Sequence, residues 1–175
     1  MPYAVAHVIL TIVIADIYRD YFAKKKFPMT YVFVAGIAGL IPDLDIPVQW
    51  IINSLLRTNY SFHRLYTHSL AYSILFFIIA LVFSAKKGEH YKFFKWSPSK
   101  ISIVMFFLAL SFGWFMHIFL DCTLAGDGFL NIIPSIPLSF CPSPFSNEAL
   151  VDFDAIVLVL WLFHEQWKHK IKDYI

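Results

Sequence analysis

Seven ionisable side chains stand where an apolar chain can least accommodate them: His7, Asp43, Asp45, His63, His68, His117 and Asp121. Four imidazoles and three carboxylates make a mixed nitrogen and oxygen donor set, which suits zinc first and manganese or iron behind it, whereas calcium prefers oxygen alone. In "GWFMHIFLDC" His117 and Asp121 are four apart, so a helix puts them on one face, one turn from each other, a workable spacing for two ligands of one metal. In "IPDLDIP" the prolines Pro42 and Pro47 predict a helix break, and an extended Asp-Leu-Asp would send both carboxylates to the same side. In "SFHRLYTHSL" the two histidines are five apart, about 140° around a continuous helix. That predicts His63 in a loop or cap and His68 in a first turn, with Ser61 a possible cap. Arg64 could clamp an anion bidentately, and Thr67 and Ser69 could orient ligands through hydrogen bonds.

Seven candidates exceed the four ligands of a simple zinc site. Either two metals share an aspartate bridge, which suits phosphoester hydrolysis by clamping the attacking and leaving oxygens, or some of the seven act as catalytic and supporting groups around one ion. Asp43 and His68 are the candidates for direct catalytic work, with Arg64 on the substrate. Taken singly, each histidine reads as a hydrogen-bonded interior residue, Asp43 as a helix cap, and His117 with Asp121 as a neutral structural pair. Their joint placement is what points to a metal or catalytic centre. His90, His164 and His169 lie in basic or terminal surroundings and are expected to be solvated.

The elements that must position these groups are greasy. The 175 residues are 59% hydrophobic and 15% charged, where a soluble domain carries about a quarter charged residues. Five stretches approach the roughly 20 apolar residues of a spanning helix: 3–23, 29–56 with its interruption, 66–85, 101–122 and about 150–165. The fold class is therefore all-α, an integral membrane bundle of four to five spanning helices with one broken helix, in a single domain over 1–175. No cleavable signal peptide is evident, since the first stretch lacks a basic leader and a small-residue cleavage site. Twelve of the fourteen Lys and Arg follow the first, third and fifth stretches. The positive-inside bias then places the N-terminus outside, the C-terminus inside, and all seven candidates at the outer face of the cell membrane. The loop "KKGEHYKFFKWSPSK" reads as an ordinary cytoplasmic loop with interfacial aromatics, the prolines of 131–148 predict an irregular or re-entrant loop, and Asp152 and Asp154 read as caps of the last helix. Cys122 and Cys141 are too few for a disulfide framework; they are either free or joined by that loop folding back outside.

Four blocks, "MPYAVAH", "AGLIPDLD", "HRLYTHSL" and "HIFLDCTLAGDG", resemble the membrane-bound metal-dependent hydrolases of the YdjM type. In that pattern an early His precedes G-x-L-P-D-x-D, H-R-x-x-T-H-S and H-x-x-x-D-x-x-T-x-x-G segments, and here they occur in the same order up to about residue 137. One departure is Ile41, inserted between the Leu and the Pro, which leaves the carboxylates in place. The resemblance implies His7, Asp43, Asp45, His63, His68, His117 and Asp121 as the polar constellation, with Arg64, Thr67, Thr123 and Gly126 supporting it.

The expected activity is hydrolysis of an ester or phosphoester, with an amide behind, by water activated on one or two divalent ions. A site at the membrane boundary favours an amphiphilic partner, a membrane lipid or lipid-linked phosphate, and nothing points to nucleic acid. The rival is a metal transporter or sensor using the same ligands. A transporter would spread ionisable groups across the midplane and pair its broken helices; here only Asp16 extends the polar path inward.

Overall fold

The computed structural model describes residues 4–61, 63, 66–85, 102–125, 141 and 147–168. The described residues form six α-helices and no strand: α1 Ala4–Ile17, α2 Met29–Ala38, α3 Asp45–Leu56, α4 Leu70–Ala85, α5 Ile103–Leu120 and α6 Asn147–Lys168. Wider π-type turns extend α1 over Tyr18–Phe22 and α5 over Asp121–Ala125, and a 3-10 turn, Ile41–Leu44, joins α2 to α3. Helix α5 is central: α4 and α2 pack on it, α1 lies against α2 and touches α5, and α6 rests on α1.

Small residues make this packing possible. A Cβ on Gly113 of α5 would overlap the Ala35 carbonyl and crowd Ala38, and one on Gly36 of α2 would meet Ile12 of α1 at 2.5 Å. The three helices therefore approach closely, around a core of Ile12, Ala15, Met29, Tyr31, Val32, Ala35 and Ala109. Between α4 and α5 the joint is polar and reciprocal. Ser73 Oγ donates to the Ser111 carbonyl at 2.9 Å, and Ser111 Oγ donates to the Ser73 carbonyl at 2.8 Å. Such small hydroxyl residues bring apolar helices together where the hydrophobic effect cannot, because the surroundings are as apolar as the helices.

The outward faces show the complementary pattern. On α4 only Ser73 and Ala80 are buried, while Ile74, Leu75, Phe77, Ile78, Leu81 and Val82 are exposed. Helix α6 likewise exposes Ile156, Val159, Leu160, Leu162, Phe163 and Trp167. Contiguous apolar surface of that extent is foreign to soluble monomers. By length and composition, however, one continuous helix, Ile103–Leu124, suffices to cross a bilayer, and α2 with Ile41–Leu56 makes a second if the pair, bent by 44°, is one broken span. Among the described residues this criterion thus finds one or two of the four to five crossings expected from hydropathy. The first stretch is cut short by Asp16, Arg19 and Asp20, and α4 reaches only 16 described residues.

Three local expectations are corrected. The Asp-Leu-Asp stretch is not extended: Asp43 sits in the 3-10 turn and Asp45 opens α3, with Pro42 and Pro47 each in a first turn, where a missing N–H is harmless. Ser61 does not cap α4, which starts nine residues later; Ser69 does, its Oγ accepting from Ala71 N at 3.2 Å. Asp152 is the sixth residue of α6, inside the helix rather than at the cap position before it. The remaining bend is closed by Asn53, which binds Thr58 and both the N–H and the carbonyl of Tyr60 while Arg57 takes a left-handed φ of 51° at the end of α3.

Candidate metal centre

Gly113 and His117 are one turn apart on α5, so the close approach of α5 to α2 delivers His117 directly to the end of α2. There His117 Nδ1 meets the Gly39 carbonyl at 2.6 Å, and His117 is completely buried. A carbonyl only accepts, so Nδ1 carries the proton and Nε2 of the neutral ring presents a lone pair.

The same logic fixes His68. Thr67 Oγ1 donates to Asp45 Oδ2 at 2.7 Å and lies 3.0 Å from His68 Nδ1. With its one proton given to the aspartate, the hydroxyl accepts from Nδ1–H, and the His68 Nε2 lone pair faces inward. Trp114 holds this segment in place, its Nε1 donating to the Thr67 carbonyl at 3.1 Å.

The two inward nitrogens meet two carboxylate oxygens. His68 Nε2 lies 3.1 Å from His117 Nε2, 3.3 Å from Asp43 Oδ1 and 3.5 Å from Asp121 Oδ2; His117 Nε2 lies 3.6 Å from each of those oxygens. With neutral rings these are four acceptors crowded together with no proton to share, an arrangement that repels itself unless a cation sits among them. Zinc bonds of about 2.0–2.2 Å in a tetrahedron place ligand atoms about 3.4 Å apart, and all five separations lie close to that. The donor set of Asp43, His68, His117 and Asp121 therefore fits one first-row divalent ion.

The other three predicted residues surround this set. His7 Nε2 contacts Asp121 Oδ1 at 3.1 Å, and its ring lies 4.2 Å, centre to centre, from that of His117. Asp45 accepts from Thr67 and holds His63 Nδ1 at 2.8 Å on its other oxygen. Asp45 and His68 are 3.9 Å apart at their nearest charged atoms, so Asp45 acts on His68 through the threonine. His63 N also donates to Gln49 Oε1 at 3.1 Å, tying the loop to α3. Two wider groupings, His7 with His117 and Asp121, and Asp43 with His63 and His68, each bring three donor atoms within 4.8 Å of one another. The centre is buried except along one edge, where the Asp43 and His63 side chains are 17% and 16% exposed.

Of the supporting positions, Thr123 turns away and donates to the Phe119 carbonyl at 2.7 Å. Ser69 Oγ accepts from Ala71 N as the α4 cap. Arg64 and Gly126 lie outside the described residues, as do His90, His169 and the basic loop of 86–100. Cys122, next to Asp121, is joined to Cys141 by a disulfide, which closes one of the two alternatives left by the sequence.

Three participants escaped sequence reasoning. The Gly39 carbonyl has no side-chain signature, and Trp114 and Gln49 stand in apolar stretches where nothing in their spacing marks them. His164 also departs from expectation: it is part-buried and faces Asp16 and Glu165. The signal was there, since Asp16 is an acid in the middle of an apolar stretch and such a group needs a partner.

Comparison with curated proteins and with solved structures gives no significant match. The sequence model of the YdjM inner membrane protein family, by contrast, matches residues 1–171, so that the helices and the whole polar centre fall inside it, and the chain belongs to that family of membrane proteins.

Proposed function

We propose that the protein is a metal-dependent hydrolase, embedded in the membrane by four or five crossings, that cleaves an ester or phosphoester of an amphiphilic substrate at the outer face. The observation that carries this reading is the convergence of four proton-free donor atoms from α5, the α2–α3 turn and the segment before α4. A divalent ion held there would supply a water of lowered pKa, hence a nucleophile at neutral pH. Zinc suits the set best, with manganese and iron as neighbours in preference.

The chain's own residues would do the rest. Asp45 holds His63 by Nδ1–H, which leaves His63 Nε2 basic; that atom is buried and has no hydrogen-bond partner among the described residues. His63 lies on the accessible edge, its ring 5.1 Å from His68. It is placed to take the proton of the attacking water and return it to the leaving oxygen as the ester bond breaks. Arg64, adjacent in sequence, is the residue we assign to the substrate's anionic group. The apolar face of α3, with Val48, Ile51 and Leu55 exposed, adjoins this edge and favours a substrate whose tail stays in lipid.

Metal analysis of detergent-purified protein is the first test. Wild type should carry one ion more per chain than a folded His68→Ala/Asp121→Ala variant, which should hold none at that centre. Loss of two ions in that variant would favour the dinuclear reading, with Asp43, His63 and His68 serving the second. His63→Gln should keep its metal yet lose about 10²–10⁴-fold in hydrolysis of a chromogenic phosphodiester bearing an alkyl tail. If His63→Gln hydrolyses this ester as fast as wild type, the proton-transfer role is wrong. A second reading, metal transport, draws on the polar cluster at the far end of α1; zinc uptake into proteoliposomes without ester hydrolysis would favour it.

A further inference from the structure

The second gathering of ionisable groups lies at the opposite end of α1 from the His and Asp centre. Asp16 follows His7 by nine residues, about 13 Å along the helix axis, and is 1% exposed. Helix α6 brings His164 and Glu165 against it. His164 Nδ1 stands 3.7 Å from Asp16 Oδ2 and 3.4 Å from Glu165 Oε1, and one donor atom from each residue lies within 4.8 Å of the other two. Both separations exceed the 2.7–3.2 Å of a good N–H···O hydrogen bond. They match instead the spacing of atoms that share an ion, as at the first centre.

Glu165 supplies an independent sign. It is 2% exposed, and its Oε2 has no hydrogen-bond partner among the described residues. An acid so deeply buried is costly without a compensating charge. Beside the cluster, a cavity of about 240 Å³ between α1 and α6, walled by Leu10, Val13, Val157 and Trp161, reaches Asp16 and His164 and leaves room at their side chains.

We propose that Asp16, His164 and Glu165 form a second divalent-cation site, separate from the hydrolytic centre, whose ion ties α6 to α1. Two carboxylates and one imidazole select a first-row ion such as zinc or manganese. Because the ligands come from both helices, and α6 rests chiefly on α1, the ion would act as a clip between them.

The test uses tag-free full-length protein. In the His68→Ala/Asp121→Ala background, equilibrated with Zn²⁺ or Mn²⁺ and freed of excess ion, one metal per chain should remain, and adding either Glu165→Gln or His164→Asn should remove it. In wild type, hydrogen exchange along α6 should be slower with metal than with chelator, and Glu165→Gln alone should abolish the difference. Metal that persists in both added variants lies elsewhere and overturns the proposal. So does an α6 whose exchange ignores metal in the wild type, a readout that stands even if the background variant fails to fold. Failure of the hydrolytic centre would look different, as no loss of metal between wild type and the His68→Ala/Asp121→Ala background.

Discussion

Two protons decide what His68 and His117 can do. His117 gives its Nδ1 proton to a main-chain carbonyl, and His68 gives its own to Thr67, which passes the pull on to Asp45. Removing the threonine hydroxyl leaves the four candidate donor atoms untouched but frees the His68 ring to change tautomer or turn. Thr67→Val should therefore weaken metal binding by about 10–100-fold, the usual cost of losing a group that orients a ligand, while Thr67→Ser should restore it; chelator competition measures both. Wild-type affinity in Thr67→Val would remove the relay from the account. The identity of the seven polar residues was legible in the sequence because ionisable groups in apolar stretches are few and conspicuous. Their division of labour was not. Asp45 and Asp43 are two apart in the same motif, yet one faces the donor set and the other the threonine, because a helical turn rather than an extended strand separates them.

At the scale of elements, the centre is assembled by helices that come unusually near each other. His117 reaches Gly39 only because Gly113, one turn earlier, lets α5 lie on the backbone of α2. Gly113→Val would have to push the two helices apart, an overpacking that costs about 1–3 kcal/mol, and the displacement falls where the site is least tolerant of it. The variant should thus lose metal while remaining helical, as circular dichroism and metal analysis together would show; full metal content would mean that α5 and α2 need no such approach. A glycine in an apolar run is visible in sequence, but which helix it faces is not. The reciprocal Ser73 and Ser111 clamp was hidden for the same reason, since hydroxyls 38 residues apart announce no pairing. The helix break in "IPDLDIP" was readable from its prolines, whereas its conformation was not, because Pro stops a helix and starts one with equal ease.

For the whole molecule the open variable is orientation, and two unrelated features bear on it. On the proposed five-crossing path twelve of the fourteen lysines and arginines would fall on one side, which would put the candidate centre outside. The disulfide of Cys122 and Cys141 begins at the residue after Asp121, and disulfides persist on the oxidising side of a membrane, not in a reducing cytosol. Charge and redox chemistry thus point the same way, although one counts residues at one set of helix ends and the other marks the opposite end. The bridge closes a loop across 19 positions, which by chain entropy contributes about 3 kcal/mol to stability, and it ties the distant residue 141 to the ligand-bearing end of α5. In intact cells an impermeant thiol reagent should label Tyr60→Cys and leave His90→Cys unlabelled, with the native pair silent until a reductant is added. Labelling of His90→Cys alone would turn the protein over, set the centre facing the cytosol, and exclude any substrate that resides in the outer leaflet. Labelling of the native cysteines without reductant would deny the bridge itself, and with it the independent half of the argument.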